Sequence, residues 1–249
     1  MLASVILFLG GTAIGSFLNV LALRYEDGGK IFRQDILTGR SRCPYCKKIL
    51  RWYELIPLLS FLFQLGRCRR CGKALGWQYP IVEIAGGLIF ALTPLYLPNA
   101  PIWIAILLTL LLITLVDLRL LVIPDQLNVL LALLAIGLFI KDFSGPILIN
   151  HLLGAVVGFL IIGLLVLGSR GRGMGIGDWK FVAALGLLFG WPKILILLAL
   201  AFVAGGVAGA VILLLRIKKL KDAIPFGPFL ALASLLTIIF GDVIIRLYL

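Results

Sequence analysis

The chain has 249 residues, 62% of them hydrophobic, with 23 Lys and Arg against 11 Asp and Glu. Its mean hydropathy of +1.15 lies far above that of a water-soluble domain, which is roughly half apolar, so an ordinary soluble enzyme is excluded. The net charge of +12 could suit nucleic acid, but the placement of the basic residues fits membrane topology and anionic lipid heads instead.

Eight apolar runs follow one another: Leu2 to Leu23, Ile81 to Leu97, Ile102 to Val116, Leu127 to Ile140, Ile147 to Leu167, Phe181 to Trp191, Ile194 to Leu215 and Ile224 to Ile245. Several are shorter than the ~20 residues that cross hydrocarbon, Phe181 to Trp191 above all, so charge arbitrates. With all eight crossing and the amino terminus outside, 20 of the 23 Lys and Arg residues fall inside, leaving Lys141, Lys193 and Arg246. Omitting the Phe181 run moves the Arg216 to Lys221 cluster to the wrong side. The expectation is an all-α polytopic membrane protein of about eight transmembrane helices. The first run lacks a preceding basic region and an Ala-x-Ala-like cleavage site, and reads as a retained helix rather than a signal peptide.

Between the first two runs, Tyr25 to Tyr79 is polar enough to fold separately. The expected division is residues 1–24 as the first helix, 25–79 as a cytoplasmic insert and 80–249 as the membrane core, with Tyr79-Pro80 opening the second helix. No internal repeat is evident. All four cysteines lie in the insert, as Cys43-Pro-Tyr-Cys46 and Cys68-Arg-Arg-Cys71, with 21 residues between the two knuckles. Four thiolates at this spacing can close a tetrahedral zinc site, and a reducing cytoplasm disfavours disulfides. With four protein ligands no position stays open for water, so the metal's role is folding. Reduced cysteines without metal are the plain alternative. A nucleic-acid-binding ribbon fits less well, because Leu50 to Phe63 between the knuckles suits a surface lying on the membrane or against other helices.

Farther along, Asp117 and Asp178 each sit at the edge of an apolar run, and the topology puts both on the cytoplasmic face. Carboxylates near hydrocarbon are costly and usually mark a functional site. Two of them held close, one protonated and one ionised, can activate a water and protonate a leaving amine. The structural alternatives are a helix-end pairing of Asp117 with Arg119 or Lys180, and an N-cap role for Asp178 at the start of the short sixth helix. Asp125, beside Pro124, competes with Asp117 but suits helix capping. The only histidine, His151, falls on the outer side as a helix-end residue, and no Gly-x-Ser-x-Gly elbow is present. The glycine-rich Gly168 to Gly177 stretch reads as a flexible loop, since no strand precedes it as a nucleotide cradle requires.

Taken together these pieces resemble the type IV prepilin peptidases, bifunctional membrane aspartic proteases that also methylate their product. The matching segments are Gly15-Ser-Phe-Leu-Asn-Val20, Arg42-Cys-Pro-Tyr-Cys46, Trp52 to Phe61, Gly66-Arg-Cys-Arg-Arg-Cys71, Tyr79-Pro-Ile-Val-Glu83, Asp117 with Ile123-Pro-Asp125, Gly175-Ile-Gly-Asp178-Trp-Lys180, and Ile224-Pro-Phe-Gly-Pro-Phe-Leu-Ala231. The resemblance implies a bacterial inner-membrane enzyme with Asp117 and Asp178 as its catalytic carboxylates. Its substrates would be prepilins or type II secretion pseudopilins, cut at the cytoplasmic face after the glycine that ends a short basic leader. The new amino terminus would then receive a methyl group from S-adenosylmethionine, a step for which the resemblance points to Gly66 and the zinc insert. Apart from the resemblance, Glu83, just inside the second helix, reads either as a further polar participant or as the partner of a basic neighbour at the interface. Arg119 departs from the acidic residue many relatives carry there. Other readings are a peptidase without methyl transfer and a non-enzymatic zinc-bearing scaffold or transporter. No nucleic acid is expected as a partner.

Overall fold

The computed structural model describes residues 2–31, 33–139, 145–169, 174–216 and 223–248. Among them the chain is helical, with two isolated β-bridges as its only extended pairings. It divides into two compact units, 1–108 and 109–249, whose boundary falls within one helix.

In the first unit α1 (Leu2–Arg24) packs against α4 (Gln78–Tyr96), and the segment between them carries α2 (Gln34–Thr38), a 3-10 turn at Trp52–Glu54 and α3 (Leu59–Phe63). Glycines set the α1/α4 approach. A Cβ on Gly86 would lie 2.5 Å from the Gly11 carbonyl oxygen, and one on Gly15 would lie 2.6 Å from that of Val82. Apolar side chains gain little by leaving lipid for a helix interface, so close backbone contact of this kind carries the association. A hydrogen bond from Gln78 Nε2 to Asn19 Oδ1 at 2.8 Å settles two amides that lipid could not satisfy. The Arg24 guanidinium donates to the carbonyls of Ile36 and Gly39, each at 2.6 Å, and ties the insert to the end of α1.

The insert corrects the reading that no repeat exists. Arg42 bridges to Ile49 and Arg67 to Ala74, and the same bonds recur 25 residues on: Cys43 N to Lys48 O and Cys68 N to Lys73 O, both 3.0 Å. Each hairpin turns just after its second cysteine on a residue with positive φ, Lys47 (59°) and Gly72 (68°). The duplication is legible in residue types as well, since Arg42, Cys43, Cys46, Lys48, Leu50 and Trp52 recur 25 residues on as Arg67, Cys68, Cys71, Lys73, Leu75 and Trp77.

The second unit contains most of α5 (Ala100–Leu120), then α6 (Asp125–Phe139), α7 (Gly145–Gly168), α8 (Ile176–Phe189), α9 (Lys193–Leu214) and α10 (Gly227–Tyr248). On α5 the buried Leu110, Ile113, Val116 and Asp117 recur at helical spacing, so one face carries both packing and the acid. α7 crosses α8 where a Cβ on Gly154 would lie 2.6 Å from the Gly186 carbonyl oxygen. Trp179 Nε1 donates to the Phe159 carbonyl at 2.6 Å. His151 Nδ1 donates to the Leu187 carbonyl at 2.9 Å, so the histidine locks α7 to α8.

Eight long helices are thus present among the described residues, where eight were expected. Six of them, α1, α4, α5, α7, α9 and α10, are long and apolar enough to cross a membrane, which makes this a multi-pass membrane protein. The other two fall short: α6 has 15 residues and α8 has 14, about 21 to 23 Å at 1.5 Å per residue against ~30 Å of hydrocarbon.

Candidate active site

The four cysteine sulfurs converge in the first unit, all within 4.8 Å of one another. Cys43 Sγ and Cys71 Sγ are 3.9 Å apart, close to the roughly 3.8 Å edge of a tetrahedron with Zn–S bonds of about 2.3 Å. Amides of Cys71 and Arg70 aimed at the Cys68 sulfur bring its thiol down to about 7. At Cys71 the Lys73 amide acts in the same direction, but desolvation and the sulfurs of Cys68, Cys46 and Cys43 outweigh it and push the thiol up to about 11. Sulfurs this crowded resist collecting negative charge unless a cation sits among them, and the donor set suits zinc.

The aspartates belong to the second unit. Asp117 lies in the last turn of α5, 4% exposed, and its Oδ2 accepts the Gly227 amide at 2.8 Å. That amide belongs to the first residue of α10, where unpaired N–H groups and the helix dipole favour an anion. Asp178 lies in the first turn of α8, where its Oδ2 accepts the Gly175 amide at 3.0 Å. It is therefore the third residue of the helix reaching back, whereas the N-cap position itself is held by Gly175. A Cβ on Gly177 would meet Ile123 Cβ at 3.2 Å, so the turn between α5 and α6 lies against the start of α8. By this route Asp178 comes near enough to Asp117 to act on it through its charge.

The remaining candidates separate clearly. Lys180 Nζ binds both oxygens of Asp125, at 2.9 and 2.7 Å, so the lysine considered for Asp117 is engaged elsewhere. Gly66 has φ +65°, and a Cβ there would lie 3.0 Å from the Phe61 ring; it turns the chain out of α3 into the second hairpin. Glu83 is 6% exposed and accepts the Leu58 amide at 2.8 Å together with a hydrogen bond from Ser16. Of the glycine-rich stretch, residues 170–173 lie outside the described residues, as do Lys141 and residues 217–221 of the basic cluster. Gly227 was missed as a site residue. Its Pro225-Phe-Gly-Pro228 setting signals a helix start, but nothing local says which carboxylate that start will hold. A Cβ at Gly227 would lie 2.7 Å from Asp117 Oδ2, so only glycine admits the acid.

Two families match the chain. The bacterial peptidase A24 N-terminal domain covers residues 9–97, and the type IV leader peptidase family covers residues 104–210. A prepilin leader peptidase/N-methyltransferase of Aeromonas salmonicida is 35% identical, over 98% of this chain and 93% of its own length. Proteins of the same name from Pseudomonas aeruginosa and Bacillus subtilis are 34% and 32% identical, covering 96% and 98% of this chain and 91% and 96% of their own. No solved structure matches.

Proposed function

We propose, because the chain belongs to the type IV leader peptidase family, that it is an enzyme that removes the leader of prepilins or pseudopilins and then methylates the new amino terminus. The observation that supports the reading is that two acids from α5 and α8, both in the part of the chain that the leader peptidase family matches, lie within electrostatic reach of each other.

Asp117 and Asp178 act as the catalytic pair. One carboxyl group holds a proton while the other, ionised, draws a proton from a water as that water attacks the scissile carbonyl. The protonated partner then supplies the leaving amine. The Gly227 and Gly175 amides each hold one oxygen of an aspartate, so the two carboxylates are oriented before substrate arrives. The peptide is cut after the glycine that ends its basic leader, and the site faces the cytoplasm, which agrees with the 20 basic residues the topology places there.

Zinc held by Cys43, Cys46, Cys68 and Cys71 closes the two hairpins and has a structural task. S-adenosylmethionine, when bound, supplies an activated methyl group on its sulfonium. Co-expression with a prepilin tests the whole reading: leader loss is followed on a gel and the mature amino terminus by mass spectrometry. A leader that stays intact defeats the peptidase assignment, and a trimmed but unmethylated terminus defeats the transferase assignment alone.

A further inference from the structure

The name shared by the similar proteins joins two activities, and the two family matches divide the chain in a parallel way. Both aspartates lie within the leader peptidase match, so the second chemistry wants a place elsewhere. The first unit has one: a cavity of about 590 Å³ bounded by the end of α1, the start of α4 and the zinc hairpins. Its volume is within the roughly 300–1,000 Å³ range of small-molecule sites.

The lining is suited to a particular kind of ligand. Half-buried Phe61 and Tyr79 offer ring faces for a flat heterocycle, and the exposed Arg40 and Arg42 offer donors for a carboxylate. Glu83 is the decisive member. It is nine-tenths buried, lines the cavity, and takes part in no ion pair among the described residues. The Leu58 amide and Ser16 fill two of the roughly four acceptor positions of a carboxylate. A buried acid without a counter-charge is unfavourable unless a cation arrives to pair with it. S-adenosylmethionine carries every complementary part: a purine, a carboxylate and a sulfonium cation.

We propose that this cavity is the methyl-donor site and that the Glu83 carboxylate receives the sulfonium. The inference rests on the transferase half of the function proposed above. It distinguishes the donor from its thioether product, because both carry an α-ammonium group but only the donor places a positive charge on the sulfur that would face Glu83.

Binding of S-adenosylmethionine and of S-adenosylhomocysteine to the purified full-length protein in detergent, measured by calorimetry, tests it. The wild-type protein is expected to prefer the sulfonium. Glu83→Gln, whose amide oxygen can still accept the Leu58 amide, should weaken sulfonium binding by about tenfold and leave the thioether within about twofold. Ser60→Phe, which fills the cavity, should weaken both molecules by more than about tenfold, with helical circular dichroism and gel-filtration elution verifying the fold. If the wild-type protein binds the donor and either substitution leaves that affinity unchanged, the site assignment fails while methyl transfer stands. If Glu83→Gln instead spares donor binding and raises the KM for the trimmed peptide, the carboxylate serves the substrate's amine and the proposal is overturned. If the wild-type protein binds neither molecule, the proposal and the transferase reading fall together.

Discussion

The cysteine cluster and the aspartate pair are both assemblies of acidic groups, but they are gathered over very different stretches of chain. Cys43 and Cys71 are 28 residues apart and are brought together by two hairpins with one hydrogen-bonding pattern. Asp117 meets an amide 110 residues away, at the start of α10, and feels the charge of an acid from the start of α8. The first site is local and can be closed by a single ion. The second exists only while three helix ends keep their places, which makes it the more sensitive to packing far from the chemistry.

The sharpest way to break the comparison is to remove one acid. Asp117→Asn and Asp178→Asn are each expected to lower leader cleavage by about 10³-fold or more, measured by mass spectrometry of the trimmed peptide with purified enzyme. Normal cleavage by either variant would end the catalytic assignment. Next comes a wedge at a distance: Gly154→Leu drives a side chain into the Gly186 backbone, should cost at least about 1–3 kcal/mol, and by shifting α8 should slow cleavage about 10- to 100-fold. Zinc content should not change, and a loss of zinc together with activity would show that the two sites are not independent.

Metal removal probes the other side of the contrast. Chelation, or Cys43→Ser, should expose amides of residues 42–75 to hydrogen exchange while α6, α7, α8 and α9 keep their protection, since the ion joins only the hairpins. Exchange rising equally in both regions would refute the local character claimed for the cluster. The smallest effect is expected from Asp125→Asn. Its pair with Lys180 is largely exposed, and such pairs contribute about 0.2–1 kcal/mol, so cleavage should fall only a few-fold and grow less sensitive to salt. A loss as deep as that of Asp117→Asn would move Asp125 into the catalytic role.

How much of this was legible beforehand follows the same division. Cys-x-x-Cys spacing is a short-range signal, and the four ligand positions could be read because each knuckle is one turn of chain. The long helices could be read because apolar composition sets them regardless of neighbours. The structural alternative for Asp178 was an N-cap, but it is the third residue of α8, because Gly175 and not the acid takes the non-helical position. Lys180 was a candidate partner for Asp117, but the path from α5 into α6 delivers Asp125 to it first. Gly227 could not be singled out, since its importance lies in what a Cβ would strike, and the striking group comes from another helix.

Composition and spacing by themselves determined that the chain enters a membrane, where its helices run and that its cysteines form one cluster, since these depend on residues close in sequence and on the solvent around them. Tertiary structure alone decided which amide holds each aspartate, that Asp178 comes within electrostatic reach of Asp117, and that Glu83 lines a cavity without an ion-pair partner among the described residues. Those outcomes depend on which helix ends are packed side by side, and that packing turns on glycines whose only signature is the absence of a side chain.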